Sequence, residues 1–265
     1  MIRLAVSGAG GRMGRRIVAL AQESGDFELV AALEDAGCEF IGQDAGVLAG
    51  LGELKVPVCD SIGANAKADV LIDFSLPAGT QRWGQYCGEH KLAMVVGTTG
   101  LSDSQKNALE KAARHTAILI GANMSLGVNL LFKLVGQVAQ GLGDDYDIEI
   151  TETHHRFKRD APSGTALELA RQIANAKEWP WPGCLVHGRE GKDAPRKAET
   201  IGMHALRAGD VVGEHQVRFS ALGETIELSH RAHSRDTFVR GALQGARWIR
   251  GQKPGLYNMF DVLGL

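Results

Sequence analysis

The sequence predicts an α/β protein: a doubly wound parallel sheet in the first half and an α+β unit with a mixed open sheet after it. Three observations predict this. Five apolar, β-rich runs recur before residue 125 with helix-period segments between them. A glycine loop, "GAGGRMG" from Gly8, follows the first run. Strict apolar/polar alternation then sets in near Asp145. A chain of 265 residues is long for one compact unit, since domains run to roughly 100–200 residues, so two are expected.

The strand runs are "IRLAVSG" from Ile2, "FELVAALE" from Phe27, "ADVLIDF" from Ala68, "AMVVGTT" from Ala93 and "AILIGAN" from Ala117. Strands continuous in apolar residues are buried on both faces, as in a parallel sheet covered by helices. The covering helices are read at 12–23, 78–90 and 102–115. A glycine-rich stretch over 36–54 is expected to be a surface excursion. From Asp145, "DYDIEITETH" alternates as a strand, and "GMHALRAGDVVGEHQVRFSALGETIELSHRAHS" reads as strands joined by glycine turns. "RDTFVRGALQGARWIRG" regains helical period, and the apolar tail "GLYNMFDVLGL" is expected to return to the first unit. The expected domains are 1–125, joined by 236–265, and 126–235.

Composition excludes several function classes. Net charge is -2, with 44% hydrophobic and 23% charged residues. That is an ordinary soluble profile without a basic nucleic-acid surface, and no run is long enough to span a bilayer. Cys38, Cys59, Cys87 and Cys184 form no CxxC pair and no ligand spacing with histidine. Neither a disulfide framework nor a metal site is expected, and a reducing cytoplasm is. The first residues enter a strand directly, without the apolar core of a signal peptide.

The glycine loop joins a strand to a helix, where backbone can approach a pyrophosphate and free N–H groups meet it. Its spacing is GxxGxxG, through Gly8, Gly11 and Gly14. Alone it is also compatible with a tight turn. Glu34 lies twenty residues past Gly14, at the end of the second strand, where a dinucleotide fold wants an acid for ribose hydroxyls. Together they make a Rossmann-like unit the expectation, with the glycine loop approaching the pyrophosphate by its backbone. Asp35 follows Glu34, and the two carboxylates disfavour a 2′-phosphate, so NADH is preferred to NADPH without excluding it. Arg12 offsets this in part by stacking or pairing. Gly97, Thr98 and Thr99 of "GTTG", and Gly121, Ala122, Asn123 and Met124 of "GANMSLG", stand at further strand ends, where ligands of open parallel sheets lie. Each is also readable as a strand-to-helix turn.

"ETHHRFKRDAPSGTA" from Glu152 crowds positive groups into a net-acidic chain. His154 and His155 point to opposite faces or part at the strand's end, so one can move a proton while the other contacts a ligand. Lys158 and Arg156 tune them by like charge. "DAPSGTA" opens a helix whose first N–H groups, with the Ser163 and Thr165 hydroxyls, form an anion cradle. A solvated charge run is the bland alternative. A second basic patch, His230, Arg231, His233 and Arg235, reads as a solvated strand end or a substrate or interface contact. His90, His115, His187, His204 and His215 show no partner pattern and are read as structural or surface residues.

"GAGGRMG", "DFSLPAGT", "GTTG", "ANMSLGVN", "HHRFKRDAPSGTA", "RAGDVVGEH" and "GLYNMFDVL" resemble the 4-hydroxy-tetrahydrodipicolinate (dihydrodipicolinate) reductase family of bacterial lysine and diaminopimelate synthesis, nearly end to end. The resemblance implies NADH- or NADPH-dependent reduction of a cyclic imine dicarboxylate, by a cytoplasmic homotetramer joined through its substrate-domain sheets. It assigns His154 as proton donor/acceptor and Lys158 as its cationic partner or a proton donor. His155, Ser163, Gly164 and Thr165 would hold the substrate carboxylates. The dinucleotide would take the loop residues Gly8, Ala9, Gly10, Gly11, Arg12 and Met13, with Glu34, 97–99 and 121–124. The family often has a basic residue where Asp35 stands, which puts strong NADPH binding in doubt. Domain closure about hinges near 123–129 and 234–237 is expected. Two rivals share parts of this pattern: an aspartate dehydrogenase-like enzyme, told apart by activity on aspartate, and a non-catalytic nucleotide sensor, which has no need of a proton donor.

Overall fold

The computed structural model describes residues 1–63 and 66–265. In chain order the elements are β1 (Ile2–Ser7), α1 (Arg12–Ser24), β2 (Phe27–Leu33), α2 (Ala45–Leu48), β3 (Val58–Cys59), β4 (Val70–Asp73), α3 (Pro77–His90), β5 (Ala93–Val96), α4 (Asp103–Ala113), β6 (Ala117–Ile120) and α5 (Leu126–Gly141). Then follow β7 (Asp147–His154), α6 (Gly164–Lys177), β8 (Leu185–His187), β9 (Ile201–Arg207), β10 (Gly213–Ala221), β11 (Glu224–Ala232), α7 (Asp236–Ile249), β12 (Gly255–Tyr257) and α8 (Met259–Leu263). The chain divides into a unit of Met1–Leu126 with Asp236–Leu265 and a unit of Gly127–Arg235.

The first unit holds a parallel sheet in the order β12-β6-β5-β4-β1-β2-β3. Strand alternation sorts its side chains into two cores. Leu4, Val6, Ile72, Val95 and Leu119 pack with Ile17 and Val18 of α1 and Val239, Leu243 and Ala246 of α7. Ala5, Leu71, Met94, Val96 and Ile118 pack with Trp83 and Cys87 of α3 and Leu109 of α4. α7 therefore completes a face that α1 covers only in part. Its placement is pinned by charge: Arg247 donates to Asp26 at 2.5 and 3.0 Å, and Arg16 to Asp236 at 3.0 and 2.7 Å. Hydrogen bonding from Arg247 holds the Asp26 carboxyl at about 2.

The second unit is built on a mixed sheet in the order β11-β10-β7-β9-β8. β10 pairs antiparallel with β7 and β11, whereas β9 runs parallel to β7 and β8. β7 is thus central, and its end is flanked by β9 and β10. Among the described residues, no helix is long and apolar enough to cross a membrane.

Two elements depart from the sequence reading. The 36–54 stretch is more than a surface excursion, because Ala45 is buried and Phe40 packs against the core. Asp44 ties the stretch down by accepting backbone N–H groups from Gly46, Val47, Leu54 and Val56. The sequence reading does not single out α5, although its buried residues Val128, Leu131, Phe132, Val135 and Ala139 recur at helical spacing.

A β-carbon at Gly241 of α7 would stand 1.7 Å from the Met124 carbonyl oxygen, a backbone atom with no rotamer to yield. Gly241→Ala is therefore expected to cost about 1–3 kcal/mol of stability, the usual range for overpacking. Gly251, which has nothing near its would-be β-carbon, serves as the control. Urea unfolding of both variants checks this, and equal midpoints would refute the packing argument.

Candidate active site

In the first unit the glycine loop closes on itself. Gly8 adopts φ +78°, and a β-carbon there would lie 2.5 Å from the Phe74 carbonyl oxygen. At Gly14 it would lie 2.0 Å from the Gly8 oxygen, so α1 reaches the loop only because this residue lacks a side chain. Gly11 precedes α1, and no side chain caps that helix. The loop thus has the small residues and uncapped helix start that a pyrophosphate needs. Arg12 is the exposed first residue of α1, and Met13 is half-buried behind it.

Glu34, expected to serve ribose hydroxyls, also has a partner within the protein. Its Oε1 accepts the Gly10 N–H at 2.8 Å, which ties the end of β2 to the loop. Phe40 lies over Gly10, and Arg15 stacks on Phe40 at 4.6 Å while donating to the Gly10 carbonyl at 2.6 Å. Asp35 beside it is exposed.

At the next strand ends a cavity of about 290 Å³ is lined by Met13, Phe74, Gly97, Gly121–Met124 and Phe238. A larger one of about 590 Å³ takes in Thr98, Thr99 and Ala122 with Leu256, Tyr257 and Asn258. The structure so brings together Met13, 97–99 and 121–124, and adds Phe74 and Phe238, which sequence reasoning missed. The Thr98 hydroxyl and the Met124 side chain are not presented to solvent. Thr98 Oγ1 donates to the fully buried Asp73 at 2.9 Å, as do Ser75 and Thr80 at 2.6 and 2.5 Å, and Met124 belongs to the core.

In the second unit β7 ends at His154, so His154 stays on the strand's face while His155 starts the following turn. Strand alternation puts Glu152 and His154 on one face. Glu152 is 1% exposed, and its Oε2 lies 2.5 Å from His154 Nδ1. Arg207, the register partner of His154 on β9, donates to both Glu152 oxygens at 2.9 and 2.8 Å. The Ser163 N–H donates to Oε1 at 3.0 Å. Gly213 leaves room for the imidazole, since a β-carbon there would lie 3.0 Å from His154 Nε2.

Ser163 is the N-cap of α6, its Oγ accepting the Ala166 N–H at 3.2 Å and lying 3.0 Å from His215 Nε2. It is buried, whereas Gly164 is exposed and Thr165 half-buried at the helix start. Lys158 carries its own counter-ion, Asp160, at 2.8 Å. Arg156, Arg159 and Arg235 are exposed, and Arg231 pairs with Glu214 at 2.7 Å. The His155 ring is half-buried, with a buried Nδ1 that has no hydrogen-bond partner.

Electrostatics follow from this packing. Burial lowers the His154 pKa below 6.5, with Lys158 and Arg207 adding to the fall and Glu152 opposing it. Burial would raise Glu152, but Arg207 and His154 outweigh it and keep the carboxyl below its ordinary value. His215, read from sequence as a structural or surface residue, is buried against the site. Its ring stands 5.2 Å from that of His154. Burial first, then His154, holds it at about 3. Glu152 and His215 were missed for different reasons. Glu152 is two residues before His154, so alternation alone could have found it. His215, like Arg207 and Gly213, arrives through strand pairing.

A neutral His215 makes folding sensitive to acid. Its folded pKa is depressed to about 3, so below the ordinary value of about 6.5 the unfolded chain takes up a proton that the folded chain refuses. Stability from this group is complete above that ordinary value. As the solution is acidified towards the folded value it falls by about 1.4 kcal/mol for each pH unit. His215→Gln is expected to narrow the gap between urea midpoints at neutral pH and at about pH 4, which lies inside this window. An unchanged gap would show that other groups carry the acid sensitivity.

Comparison with known proteins gives full-length matches. A family model described as dihydrodipicolinate reductase, N-terminus, matches residues 2–124, and one described as dihydrodipicolinate reductase, C-terminus, matches residues 127–263. Proteins named 4-hydroxy-tetrahydrodipicolinate reductase are 48% identical in Alkalilimnicola ehrlichii, covering 99% of both chains, and 47% identical in Psychrobacter arcticus, covering 100% of this chain and 96% of that one. A solved structure of a dipicolinate-bound dihydrodipicolinate reductase from Paenisporosarcina sp. TG-14 superposes with a TM-score of 0.78 at 24% identity, covering 98% of each chain.

Proposed function

The chain belongs to the dihydrodipicolinate reductase family, and on that premise we propose that it reduces 4-hydroxy-tetrahydrodipicolinate, with loss of its hydroxyl as water, or the already dehydrated dihydrodipicolinate, to tetrahydrodipicolinate. The observation that carries this reading is the pairing, at one strand end, of a histidine fixed through Nδ1 with a helix start opening on Gly164 and Thr165. A cyclic imine dicarboxylate needs both: an acid for the ring and N–H groups for a carboxylate.

A bound nicotinamide would supply the hydride, and the loop of Gly8, Ala9, Gly10, Gly11, Arg12 and Met13, with Glu34, 97–99 and 121–124, would hold it. The addition leaves electron density on the substrate that has to be protonated. His154 gives that proton from Nε2, the nitrogen not committed to Glu152, and its Nδ1–H stays on the carboxylate afterwards. Because its pKa lies below the ordinary value, the donor gives up its proton readily. Lys158 supplies positive charge beside it and exchanges Asp160 for the arriving dicarboxylate. His155, Ser163, Gly164 and Thr165 hold the carboxylates, Ser163 chiefly by fixing the helix start.

Asp35, exposed at the end of β2, repels a 2′-phosphate, so NADH is the preferred donor and NADPH a weaker one. A cytoplasmic setting suits the four free cysteines. The expected assembly is a homotetramer joined through the five-stranded sheet.

The purified protein is expected to oxidise NADH, and more slowly NADPH, only when given the imine freshly made from pyruvate and aspartate semialdehyde. His154→Gln should lower kcat by about 10²-fold or more, the usual worth of a positioned acid. Dinucleotide binding without imine-dependent oxidation would overturn the reading, and faster turnover with NADPH would overturn the Asp35 argument. Sedimentation at the mass of four chains is expected, and a single-chain mass would remove the tetramer.

A further inference from the structure

Glu152 neither gives nor takes a proton in the chemistry above, yet one carboxylate takes hydrogen bonds from a proton donor, a helix start and a neighbouring strand. Its Oε2 meets His154 Nδ1 and Arg207 Nη1, and its Oε1 meets the Ser163 N–H and Arg207 Nη2. A carboxyl with 1% exposure would protonate if left alone. The bidentate guanidinium keeps it ionised. An ionised carboxylate only accepts, so the proton shared with the imidazole belongs to Nδ1, and Nε2 is the atom left for substrate.

We propose that Glu152 is the positioning residue of this site: clamped by Arg207, it fixes the ring and tautomer of His154 through one oxygen and the start of α6 through the other, so that proton donor and carboxylate cradle keep one spacing. The inference rests on the reductase reading for its effect on turnover. The groups around the imidazole are Glu152 on its own strand, Lys158 from the turn after it, Arg207 from β9 and His215 from β10. Only Glu152 among them favours the protonated ring. Its loss leaves burial, Lys158 and Arg207 unopposed, so the His154 pKa must fall further.

The test is Glu152→Gln, followed by the pH dependence of kcat and by an NMR titration of the His154 ring. The amide would turn an N–H toward Nδ1 and reverse the tautomer. At neutral pH kcat is expected to fall by about 10- to 100-fold, within the roughly 10²–10⁴ that a general acid contributes. KM for the imine should change less than kcat. The descending limb of the profile, where the donor loses its proton, should move to more acid pH together with the ring titration. In a His154→Gln background the same change should cost little further kcat, because Glu152 acts through that ring. Should Glu152→Gln strand the guanidinium and fail to fold, Glu152→Gln with Arg207→Gln removes the pair together, and the acid shift is still expected. An unmoved titration, or an equal loss of kcat at every pH, would overturn the proposal. Wild-type protein without imine-dependent turnover would instead sink the reductase reading, and the ring titration would still report whether Glu152 sets the His154 proton.

Discussion

Glu152 is buried at the end of the central strand of the second unit, where an ionised carboxylate survives only if both oxygens find donors. Meeting that demand organises the surroundings. β9 must lie parallel to β7 so that Arg207 arrives beside His154. The segment after His154 must return so that the Ser163 N–H reaches the same carboxylate, which places the first turn of α6. β10 then contributes Gly213, which makes room for the imidazole, and His215, which supports the Ser163 hydroxyl. The mixed sheet is the arrangement that lets three strands meet one acid.

A second buried carboxylate braces the first unit in the same way. Asp73 ends β4 and collects the hydroxyls of Ser75, Thr80 and Thr98, so it ties the strand end to α3 and to the segment after β5. Glu34 ends β2 and holds the Gly10 N–H. Parallel strands deliver their carboxyl ends to one edge, which is where ligands of such sheets bind. Acids there brace backbone against backbone, and the small residues of the loops then leave the edge open.

Division of labour between the units also explains where the family likeness resides. A likeness at 24% identity reports the fold, which many nicotinamide enzymes share. The histidine and helix start on which the proposed chemistry rests belong to the second unit, and the full-length relatives at 47% and 48% identity extend the match across that unit as well as the first. A nucleotide sensor would need the glycine loop alone. It would have no use for a histidine held at 2.5 Å by a carboxylate that a guanidinium keeps charged.

By itself the sequence determined the two classes of sheet, the glycine loop, the paired histidines and the helix start that follows them. All of these are local: alternation, helical period and glycine spacing are written within a few residues of one another. The sequence reading left out α5, although Val128, Leu131, Phe132, Val135 and Ala139 follow helical spacing, and read the 36–54 stretch as surface although Phe40 covers Gly10. It did not show that the Ser163 hydroxyl and N–H also meet α6, His215 and Glu152. Only the tertiary structure decided that Arg207, Gly213 and His215 surround His154, because strand pairing joins positions more than fifty residues apart. Which nitrogen of His154 carries its proton was decided there too, since a tautomer is set by the partner that folding places against the ring.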